Sequence, residues 1–358
     1  MAGGLVLVTG GLGFIGGYVA RALLDQKRRV AVLTRGRSTS VEMRYVLHEY
    51  EGGFVTEVAS VEDLPELVEV FARLEPETVV HAASNVEVAA LYRDPYLAFQ
   101  TNVTGTVNVL EAARRSGVRR VVGISSIGVL PPIRYQPIDG AHPVIVPRGG
   151  PGTGAYGAAK VSGEVFGFAY EQAYGLDFRV VRPSAVYGFG MQWHSANYMK
   201  QFVEPAVRGE AVKVASGGRL PRDYTHVIDV AELTVRVIGC GDDTDRVYYA
   251  ATGGPLVTAA QAARLVAELI PGSSIEIADM MTQTTMSRRP FGVSSRSRTP
   301  GSSSAGRRAT HRFGRGSAST SLHTANSSPQ ALDCPLDKNT RAPILGTIVA
   351  GLQDHAVS

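Results

Sequence analysis

Tyr156 and Lys160 stand four residues apart in Tyr156-Gly157-Ala158-Ala159-Lys160. On a helix, positions i and i+4 share one face. An ammonium beside a phenol favours the phenolate and lowers the phenol's pKa. Such a tyrosine exchanges a proton with a substrate hydroxyl while a hydride moves to or from a nicotinamide. The spacing also arises by chance, and an exposed amphipathic pair is the plain alternative. Position argues for the chemistry, because the pair opens a helix that follows an apolar run ending in Ser125-Ser126. A second constellation lies at the N-terminus, in Thr9-Gly10-Gly11-Leu12-Gly13-Phe14-Ile15-Gly16. Gly10, Gly13 and Gly16 allow a tight turn, admit a pyrophosphate to the backbone and pack a helix on a strand. The helix start at Phe14 and Ile15 then offers N–H groups and a positive dipole end to the phosphates.

These groups need a particular frame. Short apolar runs at Leu5–Thr9, Arg29–Thr34, Phe54–Glu57, Thr78–His81, Val121–Ser125 and Phe178–Arg182 read as strands. Amphipathic stretches at Phe14–Leu24, Glu62–Leu74, Ala98–Ser116 and Tyr156–Tyr174 read as helices between them. The alternation predicts an α/β fold, a doubly wound parallel sheet of the Rossmann kind over residues 1–183. Later segments are expected to return to that sheet. Candidate helices at Asn197–Arg208, Val230–Ile238 and Ala259–Ile270, with short strands between, predict a smaller C-terminal α/β lobe over 184–283 that holds the substrate.

The end of the second strand reads the adenosine ribose in such a fold, where an acid binds the 2′-hydroxyl of NAD. Here it runs Thr34-Arg35-Gly36-Arg37, without an acid. Guanidinium suits a 2′-phosphate, so Arg35 and Arg37 lean the reading of the NAD(P) cofactor towards NADP. Two solvated surface arginines are the other reading.

Charge is unevenly spread. The chain carries +4, but residues 284–358 hold ten Lys/Arg and three Asp, or +7, which leaves −3 on the rest. That body shows no nucleic-acid footprint. No apolar run is long enough for a membrane span, and no signal peptide or metal-binding cysteine pair is visible. A cytoplasmic protein with a small-molecule substrate is expected. From Thr284 onward there is no Glu, there are thirteen Ser, and apolar periodicity stops. A disordered basic tail and a shifted reading frame both account for this, and either predicts little regular structure up to about Ser328.

With His81-Ala82-Ala83, Asn102 ahead of Gly105-Thr106, Arg182-Pro183, Tyr187-Gly188 and Arg222-Asp223-Tyr224-Thr225-His226-Val227 added in order, the chain resembles the NAD-dependent epimerase/dehydratase family, the extended short-chain dehydrogenases/reductases. The resemblance covers about residues 4–280. It implies that Ser126, Tyr156 and Lys160 are catalytic, with Ser126 holding the reacting oxygen and Lys160 also binding the nicotinamide ribose. It places Glu57 and Val58 at adenine, Ala82, Ala83 and Asn102 along the cofactor, and Pro183 beside the nicotinamide. It places Ser84, Asn197 and Arg222 with Ser126 and Tyr156 on the substrate, although Arg222 paired with Asp223 or Asp229 is an alternative. His226 is expected to be structural, and Asp94, Glu111, Glu164 and Asp229 to be solvated or capping groups. It also implies a homodimer through the helices Ala98–Ser116 and Tyr156–Tyr174.

Departures narrow the activity. Family dehydratases carry Asp-Glu after the catalytic hydroxyl residue, where this chain has Ile127-Gly128, so water elimination is not expected. A sugar-nucleotide epimerase is the first expectation, favoured by Asn197 and Arg222. An NADP(H)-dependent dehydrogenase or reductase of a non-nucleotide alcohol or ketone is the second, favoured by Ala185 where epimerases often carry Asn. A cofactor sensor without turnover is third, and the retained Tyr/Lys pair speaks against it.

Overall fold

The computed structural model describes residues 3–36, 39–130, 138–144, 154–192, 199–242 and 244–278. Asn197, Trp193, His194, Arg37 and the expected irregular tail from Thr284 lie outside these residues.

Strands β1 (Val6–Thr9), β2 (Val30–Thr34), β3 (Val55–Val58), β4 (Thr78–His81), β5 (Arg120–Ile124) and β6 (Asp177–Pro183) come first. They are followed by β7 (Ala185–Tyr187), β8 (Val212–Val214), β9 (Pro221–Arg222), β10 (Tyr224–His226), β11 (Val247–Ala250), β12 (Val257–Thr258) and β13 (Ile275–Ile277). The main sheet has seven strands in the order β3-β2-β1-β4-β5-β6-β11, all parallel. This is the doubly wound Rossmann-type sheet expected from the alternation. The inner strands β1 and β2 are apolar on both faces because both are covered, as parallel sheets require, whereas the edge strand β3 is largely exposed. Val6, Val8, Val30, Val32, Val80 and Val122 face one core, while Leu7, Ala31, Leu33, Val79 and Val121 face the other. That is the two-residue period of a strand.

Helices α1 (Phe14–Asp25), α2 (Val41–Leu47), α3 (Leu64–Leu74), α4 (Val88–Arg93) and a single turn α5 (Pro95–Leu97) precede a π-helical turn, Ala98–Thr104. Then come α6 (Gly105–Arg115), α7 (Gly154–Tyr174), α8 (Met199–Val207), α9 (Val227–Gly239) and α10 (Ala259–Leu269). The predicted single helix Ala98–Ser116 is thus a π-helical turn running into α6. The helix α2 was not expected. Its start is fixed by Ser40, whose hydroxyl accepts from the Met43 N–H at 3.2 Å, a cap of the usual kind.

The β11 strand and α9 return to the main sheet, where Val227, Val230 and Ala231 join the first core. Three two-stranded pairings, β7 with β10, β8 with β13, and β9 with β12, belong to the later part of the chain. There Phe202, Ala206, Val212, Ala262, Ala263 and Val266 form a separate small core between α8 and α10. Thr258 and Gln261 close a reciprocal capping box at the start of α10. Among the described residues no helix is long and apolar enough to cross a membrane, and no His/Cys/Asp/Glu group is arranged to hold a metal ion.

Candidate active site

The carboxyl ends of β1, β4, β5 and β6 carry the residues singled out above. Ligands bind at such strand ends in open α/β sheets. After β1 the chain turns at Gly10, whose φ is +67°. A Cβ there would sit 2.8 Å from the Ala83 backbone, so glycine is required for conformation and for space. A Cβ on Gly16 would strike the Gly10 carbonyl, and one on Gly13 would come within 3.1 Å of it. The turn is therefore bare backbone that leads into Phe14 and Ile15, and no side chain caps the start of α1. An uncapped helix start behind a glycine cradle fits a dinucleotide pyrophosphate.

The opposite wall is the segment after β4. Ala82 N–H donates to the Thr9 carbonyl at 3.1 Å, and Ala83 N–H donates to Thr9 Oγ1 at 3.3 Å. Asn102, in the π-helical turn, clamps the backbone of Asn85 from both sides. Its Oδ1 accepts from Asn85 N–H at 2.7 Å, and its Nδ2 donates to the Asn85 carbonyl at 2.9 Å. Between them lies Ser84, whose Oγ is buried and has no hydrogen-bond partner among the described residues. A buried polar atom without a partner invites a ligand.

His81 ties this wall to β1, and its tautomer follows from its neighbours. Thr106 Oγ1 donates to the Asn102 carbonyl at 2.7 Å, so it accepts from His81 Nε2 at 3.0 Å. Nδ1 then accepts from the Thr9 hydroxyl at 2.8 Å. Burial, with the nearby Lys160 charge, pushes the His81 pKa down to about 3. The ring is neutral, with its proton on Nε2. Sequence reasoning placed His81 in a motif without a role; the hydroxyls of Thr9 and Thr106 were the available signal.

The reactive groups sit where β5 meets α7. Ser126 Oγ accepts from the Gly128 N–H at 3.0 Å, which leaves its own hydrogen available for donation. Burial raises the Tyr156 pKa, and the Ser126 hydrogen bond pulls it back. Lys160 donates to the Ile124 carbonyl at 2.8 Å, and its Nζ lies 5.8 Å from the centre of the Tyr156 ring. The phenol is thus raised by burial, where the sequence predicts that Lys160 lowers it. Burial also pulls Lys160 down to about 8, against the opposing charge of Glu164.

Other expected residues are placed as follows. Pro183 closes β6 and is buried, and the next residue, Ser184, donates to the Asp223 carbonyl at 2.7 Å. Arg35 is exposed just past β2 and forms no ion pair among the described residues. Glu57 lies in the edge strand β3 and pairs with Arg73 at 2.5 Å, with Val58 beside it exposed to solvent. Arg222 lies in β9 opposite Val257. His226 is buried and caps α9 through Ile228 N–H at 3.3 Å, a structural role. Asp94 caps the α5 turn through Tyr96 N–H at 3.1 Å. Glu164, expected to be solvated or capping, is instead buried against Arg182 and Ser125. Its partners come from β5 and β6, which local sequence does not reveal.

A sequence model of the NAD-dependent epimerase/dehydratase family matches residues 6–250. The UDP-glucose 4-epimerase of Mycolicibacterium smegmatis is 34% identical over 244 residues, 65% of this chain and 72% of that protein. Among solved structures, a UDP-glucose 4-epimerase of Thermus thermophilus in complex with NAD is 27% identical, with a TM-score of 0.66, over 77% of this chain and 86% of that one. The UDP-glucose 4-epimerase of Thermotoga maritima, with UDP-glucose, is also 27% identical, with a TM-score of 0.67, over 78% and 87% of the two chains.

Proposed function

The chain belongs to the NAD-dependent epimerase/dehydratase family of enzymes, and on that premise we propose that it is a sugar-nucleotide epimerase acting at a secondary alcohol carbon of a UDP-hexose. The observation that carries the proposal is the gathering of Ser126, after β5, and of Tyr156 and Lys160, on α7, with Lys160 donating to the Ile124 carbonyl at 2.8 Å, at the sheet end that also bears the glycine cradle. The relatives named for UDP-glucose 4-epimerase activity support the substrate class.

The cradle of Gly10, Gly13 and Gly16, the start of α1 at Phe14 and Ile15, and the wall of Ala82, Ala83 and Asn85 would hold an NAD(P) cofactor. When bound, that cofactor takes up and returns a hydride. Ser126 orients the reacting substrate oxygen by donating its hydrogen. Tyr156 receives the hydroxyl proton as the carbon is oxidised, and returns it once the ketone has presented its other face. Lys160, as an ammonium, favours the tyrosinate in that exchange. Ser84 offers its unpartnered hydroxyl to the substrate, and Asn197 and Arg222 are the residues proposed for the nucleotide and its diphosphate. Ile127-Gly128 supply no acid and base for water elimination.

A second reading, an NADP(H)-dependent dehydrogenase or reductase of a non-nucleotide alcohol or ketone, is favoured by the exposed Arg35 at the end of β2 and by Ala185. Tyr96, Leu97 and Phe99 on one segment and Val165 and Phe166 on α7 leave apolar side chains exposed, which supports a homodimer through these helices. Native mass spectrometry of the purified full-length protein, followed by incubation with UDP-galactose, tests the function. Retained NAD and conversion to UDP-glucose without build-up of reduced cofactor are expected. No conversion of UDP-hexoses, together with net reduction of NADP by a simple secondary alcohol, would replace the first reading by the second.

A further inference from the structure

Three successive residues at the end of β5 are each held by α7 from positions four residues apart. Tyr156 meets the Ser126 hydroxyl, Lys160 donates to the Ile124 carbonyl at 2.8 Å, and Glu164 accepts from Ser125 Oγ at 2.5 Å. The i, i+4, i+8 spacing places all three on one face of the helix. The first two contacts belong to the groups read as catalytic. The third comes from a carboxylate that is itself only 6% exposed. Glu164 also receives the Arg182 guanidinium from β6 at 3.0 and 2.5 Å, and Arg182 donates to the Tyr249 hydroxyl on β11 at 2.6 Å. A buried carboxylate is tolerated when it is paired and hydrogen-bonded. This one accepts two hydrogen bonds from Arg182 on β6 and one from Ser125, the residue next to Ser126.

We propose that Glu164 is a positioning residue for Tyr156 and Lys160: from the same face of α7 it fixes Ser125, the residue between Ile124 and Ser126, and so holds the end of β5 against the helix that carries the pair. The inference rests on the reading of Tyr156 and Lys160 as the proton-transfer pair. Burial lowers the Lys160 pKa, and Glu164 is the carboxylate acting against that pull. Among the described residues, the other titratable or charged groups around the pair are Tyr156 on α7, His81 on β4, Arg182 on β6, Tyr249 on β11, and Asp139, whose charge acts on Tyr249. His81 is neutral, Arg182 is positive, and Tyr156 and Tyr249 have raised pKa values; the Asp139 carboxylate acts on Tyr249, whereas Glu164 is the carboxylate that acts on Lys160. Lys160 stays charged up to its own pKa and loses its proton as the pH rises through it. With Glu164 neutralised, that loss moves to lower pH.

The test is a pH titration of the full-length protein carrying lysine labelled with carbon-13 at Cε, with the Lys160 signal assigned by its loss in Lys160→Met. Glu164→Gln leaves Arg182 buried without its partner, so Glu164→Gln/Arg182→Gln is measured beside it against Arg182→Gln, from which it differs only in the Glu164 charge, and this second comparison decides if the single variant does not fold. We expect the Lys160 midpoint to fall by about half a pH unit or more in the folded variant, as removal of a close opposite charge requires. The alkaline loss of kcat for UDP-galactose epimerisation should move with it, at unchanged KM. A Lys160 midpoint that does not fall when Glu164 alone is neutralised, against the wild type or against Arg182→Gln, overturns the proposal. Failure of the wild-type protein to turn over UDP-galactose strikes the functional reading instead, and the lysine titration still decides the role of Glu164.

Discussion

Replacing His81 by Gln removes an imidazole that the fold holds neutral. The ring is buried between two threonine hydroxyls, accepts at Nδ1 from Thr9 and donates from Nε2 to Thr106. Its pKa is pushed down to about 3, mainly by burial and further by the Lys160 charge. An unfolded chain binds the same proton near the ordinary value of about 6.5. As pH falls below that value the unfolded state takes up the proton first, so stability is complete above it and is lost as pH drops towards the folded value. The loss is about 1.4 kcal/mol per pH unit, or about 3 kcal/mol by about pH 4.5. Carboxylates titrate in both proteins and largely cancel in the difference. Chemical denaturation of wild type and His81→Gln, followed by circular dichroism between about pH 7 and pH 4.5, reads that difference directly. The wild-type stability should fall more steeply than that of the variant by the stated slope, whatever offset the substitution introduces. Imidazole 15N shifts should also report the neutral Nε2–H form throughout this range. Parallel stability curves, or a ring that titrates near its ordinary value, would refute the account of the cofactor wall.

Tyr156→Phe removes the transferable proton and should cost about 10²–10⁴-fold in kcat while dinucleotide retention by native mass spectrometry is unchanged; wild-type turnover would remove Tyr156 from the mechanism. Arg35→Ala should weaken NADP(H) by about 1.5–3 kcal/mol and leave NAD(H) nearly unaffected in fluorescence titrations. Equal effects on the two cofactors would return Arg35 to the solvated surface. Gly10→Ala, with φ at +67° and the Ala83 backbone 2.8 Å from the new Cβ, should cost about 1–3 kcal/mol of stability and abolish dinucleotide retention. An alanine variant that retains the cofactor would show that the turn can open without loss.

What was legible in the sequence divides along a physical line. The strands and the helices α1, α3, α6 and α7 follow from periodicity, and Thr78–His81 was bounded correctly because a four-residue apolar run between turns leaves little freedom. The structure brings Gly10, Gly13 and Gly16, Ser126, Tyr156 and Lys160 to the ends of the strands from which the sequence expects them to act, each having a chemical reason to stand at a fixed distance from a strand end. Glu164 was misread because a carboxylate on an amphipathic helix defaults to solvent. Its burial depends on Arg182, eighteen residues on and in another strand. His81 was seen as a motif residue, but its neutral state needs Thr9 and Thr106, each brought to it by a different element. The two residues have the same physical origin. A polar group inside a parallel sheet survives only when other strands or helices satisfy it, and in this chain those partners stand beside the residues proposed to meet the cofactor and the substrate. The least legible positions are therefore the ones that hold the reactive groups in place. Substitutions at Glu164 and His81 should accordingly separate geometry from chemistry: they move a midpoint or a slope, whereas Tyr156→Phe removes the reaction.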